Sequence, residues 1–422
     1  MRGPGRHRVS TRGPGPALLG DRVFRRYWAA GAVSLMGDAI GDIALPLAAV
    51  LVLHAGAAEM GVLTALIWLP NLLLGLHAGA FADRAGDRRR LMIAADLGRA
   101  VLLATVPAAY ALGRLTLLQL YLVGFLTGTL SLLFSVCQST LFVSIVERAR
   151  YVEAASLVHG SRAMSYVAGP SLGGLLVQLL SAPVALVADV LSFLGSAGLL
   201  ASISPVEPPP EPARPGQLTA GAREVWRSPL LRSGLAATAT INLFNFAFAA
   251  LFLLYATRAL HVHPGVLGIV LGMGAAGSVA GAALAGPVSR RLGIGPAFVL
   301  GCALFPAPLM LVPLATGGRA AVLTFLFAAE FLSGVGVMIL DVSFGAISAA
   351  AVPAAVRSRV AGAYQLVNYG VRPLGSLGGG VLGTAVGLHA TLWAAAAGGT
   401  LGVLWLLPSP LMRLRVLPPA PE

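Results

Sequence analysis

The chain has 422 residues, of which 57% are apolar and only 11% are charged. Soluble domains carry about a quarter charged residues, whereas this apolar content suffices for about twelve membrane crossings at roughly 20 residues each. The composition excludes an ordinary soluble enzyme, a disordered chain and a disulfide scaffold. Because the two cysteines, Cys137 and Cys302, both lie in apolar runs, neither a metal cluster nor another cofactor is implied.

Apolar runs long enough to cross a bilayer recur along the whole chain and predict an all-α membrane protein with twelve transmembrane helices. The first six helices are expected at about 27–53, 60–82, 91–112, 117–145, 154–180 and 183–203. The second six are expected at about 233–257, 264–287, 295–316, 320–350, 360–385 and 387–408. The predicted organisation is a tail at 1–26, six-helix bundles at 27–203 and 233–408, a proline-rich linker at 204–232, and a tail at 409–422.

The first apolar segment follows a positively charged stretch, as in a secretory signal. It is long and contains Asp38 and Asp42, which favours a retained first helix. Arginines then mark the two sides of the membrane, because cytoplasmic loops are enriched in them. Tails and alternate loops on one side hold 23 arginines, and the opposite loops hold three. Both termini are therefore expected in the cytoplasm of a bacterial inner-membrane protein, and the net charge of +13 reflects topology rather than nucleic-acid binding.

The loops after helices 2 and 8 are related. GAFADRAGDRRR begins at Gly79 and GPVSRRLG at Gly286, and a shift of 207 superposes them. The first loop resembles the signature of the major facilitator superfamily, with Asp87 where a basic residue is usual. The resemblance implies two pseudo-symmetric six-helix bundles that work by alternating access, with this loop as a gating latch; simple anchoring by positive charge is the competing interpretation. The expected gating residues of this region are Gly79, Asp83, Arg84, Gly86 and Arg88, supported by an ion pair between Asp96 and Arg99.

Helix 5 carries a second motif: Gly169 and Pro170, followed by Gly173 and Gly174. The motif resembles that of the exporting antiporters of the superfamily, and GDAIGDIALPL in helix 1 resembles the macrolide-efflux and siderophore-exporter branch. Small residues allow close helix approach, and proline bends the helix, so these four residues are also expected to take part in gating. A generic glycine-rich packing face is the alternative.

Ionisable side chains inside predicted helices usually face a cavity and have a function. Asp38 and Asp42 lie one helical turn apart in helix 1, so one of the two is expected to hold a proton. Glu330 and Asp341 share a face of helix 10 and are candidates for proton relay or for binding a cationic substrate. Static ion pairs are the competing account, with Arg162 and Arg372 as the expected charge partners of the helix 10 carboxylates.

The remaining cavity wall is expected to include Trp68, Asn71, Asn245 and Phe248, which suits a bulky amphipathic compound. The chain is therefore interpreted as a proton antiporter that exports an amphipathic, drug-like molecule such as a macrolide. An exporter of one endogenous siderophore or secondary metabolite, or a non-transporting sensor or scaffold, are the alternatives. An enzyme is not expected. The expected partners are the cargo, protons and the lipid bilayer, and the superfamily resemblance implies a monomer.

Overall fold

The computed structural model describes residues 18–205, 223–353 and 356–417; the side chains at 76, 78–85 and 358 lie outside the described part. Over this range the chain is helical, with no β-strand. The first six long helices are α1 (Arg22–Leu51), α2 (Ala57–Ala85), α3 (Arg88–Ala111), α4 (Leu117–Ile145), α5 (Tyr151–Leu180) and α6 (Ala182–Ala201). The second six are α7 (Pro229–Arg258), α8 (Pro264–Leu292), α9 (Ile294–Leu304), α10 (Arg319–Ala351), α11 (Arg357–Ala385) and α12 (Leu388–Leu401).

The predicted all-α membrane fold is confirmed, although two helices are less apolar or shorter than expected. Among the described residues, ten helical segments are long and apolar enough to cross a membrane, one of them formed by α9 together with the 3-10 helix that follows it to Leu311. The other two are α11, which carries three arginines along its length, and α12, whose 14 residues continue as a 3-10 helix at Gly402–Leu406.

Capping residues explain why two helices begin earlier than predicted. The carboxylate of Asp21 accepts hydrogen bonds from the backbone nitrogens of Val23 at 2.7 Å and Phe24 at 3.1 Å, so α1 already begins at Arg22. Before α7, the Ser228 hydroxyl accepts from the backbone nitrogen of Leu231 at 3.4 Å. Parts of the predicted N-terminal tail and linker therefore belong to these helices.

Helices α1–α6 pack mainly on one another, as do α7–α12. Within the first set, α1 contacts α5 and α6, while α3 contacts α4 and α6; within the second, α7 contacts α11 and α12, and α8 contacts α10. Two large contacts join the sets, one between α2 and α11 and one between α5 and α8. These four helices therefore govern how the two halves sit against each other.

The halves meet closely at one end only. We call the end with loops 86–87, 146–150 and 352–353 the arginine-rich end, and the other the opposite end. At the opposite end, a Cβ on Gly61 of α2 would lie 2.7 Å from the Cα of Gly380 of α11, and a Cβ on Gly174 of α5 would lie 2.4 Å from the Pro264 carbonyl before α8. Such distances mean direct backbone contact, which only glycine permits.

The same helices are separated towards the arginine-rich end. Gly75 of α2 and Gly362 of α11 have no described heavy atom within 4 Å of an added Cβ, and His159 of α5 and Ala282 of α8 both line a cavity. The space between the halves is therefore closed at the opposite end and open towards the arginine-rich end.

Replacement of Gly174 by leucine should shift this equilibrium, because the backbone of α8 leaves no room for the new side chain. Overpacking of this kind costs about 1–3 kcal/mol, so we expect at least about fivefold less of the state that is open at the arginine-rich end. The measurement is the rate at which a Gly362→Cys reporter, in the space between the halves, reacts with a maleimide in purified protein, against the buried Cys137 and Cys302.

The matched control is Gly198→Leu on α6, where an added Cβ meets no described atom within 4 Å. An unchanged rate of Gly362→Cys labelling in folded Gly174→Leu protein would show that the contact does not limit the state.

Candidate functional site

A buried arginine on α3 organises the polar centre of the first half. Arg99 donates from Nη1 to the Asp38 carboxylate of α1 at 3.2 Å and to the Ser131 hydroxyl of α4 at 3.1 Å. From Nη2 it donates to Asp96 of its own helix and, at 3.2 Å, to the Ser34 hydroxyl of α1. The Arg99 side chain is only 1% exposed, and one guanidinium thus ties together α1, α3 and α4.

Aromatic faces close the remaining sides of this guanidinium. Its central carbon lies 4.0 Å from the ring centre of Phe193 on α6 and 4.7 Å from that of Phe134 on α4. Cation–π contacts of this kind stabilise a charge that has been removed from water. The expected Asp96–Arg99 ion pair is thus formed, but its arginine also binds Asp38, which the sequence did not indicate.

Two further carboxyls share a cavity with this arginine. Asp189 of α6 is 2% exposed and lies over two glycines of α1, since a Cβ on Gly37 or Gly41 would come within 2.4 Å of its carboxylate oxygens. Asp42 is exposed and has no ion pair or hydrogen bond among the described residues. Asp38, Asp42 and Asp189, together with Arg99, line a cavity of about 330 Å³ that is enclosed by α1–α6. We call it the carboxylate cavity.

A larger cavity of about 740 Å³ extends from Asp42 into the other half. We call it the shared cavity, because α1 and α5 form one wall and α8 and α10 form the other. Glu330 of α10 lies in its wall, and the side chain approaches Gly274 of α8 so closely that a Cβ there would lie 3.0 Å from Oε2. Apart from Asp42, His159, Arg162, Tyr166 and Glu330, its walls are mostly apolar or small side chains.

Arg372 of α11 has an aromatic rather than an acidic environment. Its guanidinium carbon lies 4.1 Å from the ring centre of Tyr369, 4.4 Å from that of Trp68 on α2, and 4.7 Å from that of Phe246 on α7. Its Nε is buried without a hydrogen-bond partner. Trp68 belongs to the other half, so this aromatic cage bridges the two halves.

The expected ion pairs of the helix 10 carboxylates are absent from the described residues. Neither Arg372 nor Arg162 comes within 4.0 Å of Glu330 or Asp341. Asp341 lies on an exposed part of α10, and Glu330 is half-buried in the shared cavity. The aromatic cage explains the difference for Arg372, because the rings occupy the positions around its guanidinium.

Two expected members of the cavity wall lie elsewhere. Phe248 is 3% exposed and stacks on Phe252 with ring centres 5.8 Å apart, inside the main hydrophobic core. Asn245 lines neither the carboxylate cavity nor the shared cavity. Trp68 and Asn71 do line a cavity, and Phe246 is the α7 aromatic next to Trp68, with ring centres 5.2 Å apart.

The loop motif after α2 is described only in part. Gly79, Asp83 and Arg84 fall among residues whose side chains lie outside the described part of the structure. Gly86 ends α2 with a φ of +74°, a backbone conformation that favours glycine. Asp87 caps α3 by accepting from the Arg90 backbone nitrogen at 2.9 Å, and Arg88 is 5% exposed.

The motif glycines of α5 serve two different contacts. Cβ atoms on Gly169 and Gly173 would lie 2.3 Å from the Ala39 Cβ and 3.1 Å from the Ile40 Cα, so these glycines seat α5 on α1. Gly174 and the Pro170 carbonyl instead meet Gly268 of α8. One face of the motif therefore joins α5 to the helix that bears Asp38, and the other joins the two halves.

Neutral groups join α7 to α11. The Asn242 amide donates to the Asn368 side-chain oxygen at 3.0 Å, and the Thr238 and Tyr364 hydroxyls share a hydrogen bond. These four side chains contain no ionisable carboxyl or guanidinium, in contrast to the surroundings of Arg99.

Comparison with known proteins identifies the family of this molecule. Residues 15–417 match a family of the major facilitator superfamily that is described as transmembrane secretion effector. The chain belongs to this family. Transmembrane secretion effectors of this superfamily are transporters, and the multi-pass helical fold agrees with that assignment.

Individual relatives are distant. An uncharacterized MFS-type transporter of Bacillus subtilis, YfiS, is 28% identical over 389 residues, covering 88% of this chain and 89% of YfiS. The crystal structure of a bacterial homologue of the iron transporter ferroportin, in an inward-facing state, superposes with a TM-score of 0.74 at 16% identity and covers 92% of this chain and 98% of that one. A bacterial homologue of the lysosomal transporter Spinster, inward-facing and unoccupied, gives a TM-score of 0.70 at 12% identity, with 96% and 98% covered.

Proposed function

We propose that this secretion effector exports an amphipathic small molecule across the bacterial inner membrane in exchange for protons. The observation that carries the proposal is the group of four carboxyls around one arginine: Asp38, Asp42, Asp96 and Asp189 with Arg99. Arginine stays charged in proteins, so it balances one carboxylate. The surplus carboxyls are suited to hold protons, because several uncompensated charges in a membrane interior are costly.

Asp38 is placed to couple protonation to movement. Its ion pair with Arg99 joins α1 to α3, and α1 in turn seats α5 through Gly169 and Gly173. Protonation of Asp38 would weaken that ion pair, free α1 to shift, and carry α5 along at its contact with α8. Because α1 also lines the shared cavity through Ala39 and Asp42, the same shift would release cargo.

The expected membrane topology supports export. Positive loops favour the cytoplasmic side, so the arginine-rich end would face the cytoplasm and the open space between the halves would admit cargo from there. The large and mainly apolar shared cavity suits a drug-sized amphipathic compound, whose polar groups would meet Tyr166 and Glu330.

Everted membrane vesicles with a respiration-driven pH gradient test the proposal. A panel of macrolides, cationic dyes, organic acids and catecholate siderophores is added while a pH-sensitive dye reports the gradient. At least one compound should collapse the gradient in vesicles that contain the protein and not in vesicles from cells without it. If no compound does so, and none accumulates in the protein-containing vesicles, the export proposal is wrong and a sensor or scaffold is favoured.

A further inference from the structure

A third cavity differs from the other two in its charge. This pocket of about 490 Å³ lies at the arginine-rich end of the space between the halves, and we call it the arginine pocket. Its walls come from α2, α4 and α5 of one half and α11 of the other. Its lining residues are Trp68, Asn71, Gly75, Leu132, Ser135, Val136, Ser139, Arg162, Gly362, Gln365, Leu366 and Tyr369.

Arg162 lines the arginine pocket, and no carboxylate among the described side chains does. The Arg162 side chain is exposed to the space between the halves and forms no ion pair or hydrogen bond with a described residue. A guanidinium is permanently protonated, whereas a carboxyl can be neutralised by a proton. The fixed charge of this pocket is therefore positive in either protonation state of the neighbouring cavities.

A second arginine, Arg372, lies against two of the rings that line the pocket and adds to its positive charge. Two of the rings that line the pocket, Trp68 and Tyr369, are also rings of the aromatic cage around Arg372. Rings lower the cost of burying a cation without neutralising it. Arg162 and Arg372, neither of which has a carboxylate within 4.0 Å among the described residues, thus lie on the same side of the space between the halves.

Neutral donors complete the site. Asn71 and Gln365 each carry an amide, and Tyr369 carries a hydroxyl; none of these groups is hydrogen-bonded to a described residue. By contrast, the Ser135 and Ser139 hydroxyls already donate to carbonyls of α4, each at 2.8 Å. One free guanidinium with free amide and hydroxyl donors around it is the donor set that an oxyanion requires.

We propose that the arginine pocket binds the anionic group of the cargo, a carboxylate or sulfonate attached to an aromatic or apolar body. The inference rests on the proposed export function and refines it: the transported molecule is an organic anion. Arg162 forms the charge-assisted contact, the amides of Asn71 and Gln365 donate to the same oxyanion, and the body lies against Trp68 and Tyr369. Asp42 and Glu330, in the neighbouring cavities, are left for protons.

Two fluorescent compounds of nearly the same shape test this inference. Anilinonaphthalene sulfonate and phenylnaphthylamine share one aromatic body and differ by the sulfonate. Binding of each is measured with the purified protein in lipid nanodiscs, after subtraction of the signal from empty nanodiscs. We expect Arg162→Gln to weaken sulfonate binding about tenfold, the loss of one charge-assisted hydrogen bond, and to leave amine binding within about twofold.

Three further variants separate charge from folding. Arg162→Lys should retain most of the sulfonate affinity, and Gln365→Glu, on an exposed position, should weaken it as Arg162→Gln does. Arg114→Gln, in a loop at the opposite end, should change neither compound. Equal losses for both compounds, or sulfonate binding that is absent or independent of Arg162, would overturn the inference.

The binding assay tests the arginine pocket and the vesicle assay tests proton antiport, so either one can fail while the other succeeds. Sulfonate binding that depends on Arg162, without proton exchange for any compound, would sustain the pocket and refute antiport. Proton exchange with cargo, combined with sulfonate binding that does not depend on Arg162, would support antiport and refute the proposed role of the pocket.

Discussion

Replacement of Arg99 by glutamine is expected to be the most damaging single substitution in the chain. The change leaves Asp96, at 0% exposure, and Asp38 without their shared countercharge. Breaking a buried ion pair by removal of one partner costs about 3–5 kcal/mol, a large share of the stability of most domains. The measurement is the thermal unfolding of purified protein, together with its yield.

Lysine at position 99 is not expected to restore the stability that Arg99 provides. Its single ammonium cannot serve Asp38, Asp96, Ser34 and Ser131 from one planar fork, so Arg99→Lys should also unfold at a lower temperature. In contrast, Asp96→Asn should restore part of the stability of Arg99→Gln, since it removes the stranded charge. An Arg99→Gln protein as stable as Arg114→Gln would contradict the argument.

Asp38→Asn is expected to remove proton coupling while the protein stays folded. Asparagine has nearly the same size and keeps an acceptor for Arg99, but it cannot take up or release a proton. Proton-transfer groups contribute about a hundredfold or more to the rates they serve, so cargo-dependent proton flux in everted vesicles should fall by about that factor. Movement of cargo down its own gradient should persist.

The matched control is Glu147→Gln, which removes an exposed carboxylate at the arginine-rich end. It should transport at the wild-type rate. If Asp38→Asn also does so, Asp38 is a static partner of Arg99, and the coupling group must be sought among Asp42, Asp189 and Glu330.

Patterns along the chain were sufficient for the fold. Apolar runs and the shift between the loop motifs predict the helices because a membrane span has a fixed length and composition. The close helix contacts of the α5 glycines also follow from their residue type, since only small residues allow such contact, but the partner helices α1 and α8 do not. The apolar run predicts helix 1 from about residue 27, whereas α1 begins at Arg22 after the Asp21 cap. A cap is a local polar signal outside the apolar run, so hydrophobicity alone does not locate it.

The polar contacts between helices could not be predicted in the same way. Arg99 and Asp38 are 61 residues apart, and no periodicity along the chain relates them. Tyr369 lies one helical turn before Arg372, which could have indicated part of the aromatic cage, but Trp68 and Phe246 come from other helices. The aromatic residues of α7 predict Phe248 in the cavity wall. Phe246 and Phe248 point about 200° apart around the helix, so Phe248 packs in the core while Phe246 faces Trp68.

The hydrogen bonds between α7 and α11 have a mechanical consequence. Amides and hydroxyls keep the same charge between mildly acidic and neutral solution, so the bonds among Thr238, Asn242, Tyr364 and Asn368 hold equally at both extremes of a proton cycle. In the proposed proton cycle, α7 and α11 are therefore expected to stay fixed relative to each other, while α1 and α3 are expected to move. A distance measurement between one label on α7 and another on α1 should accordingly show the largest change between the two states.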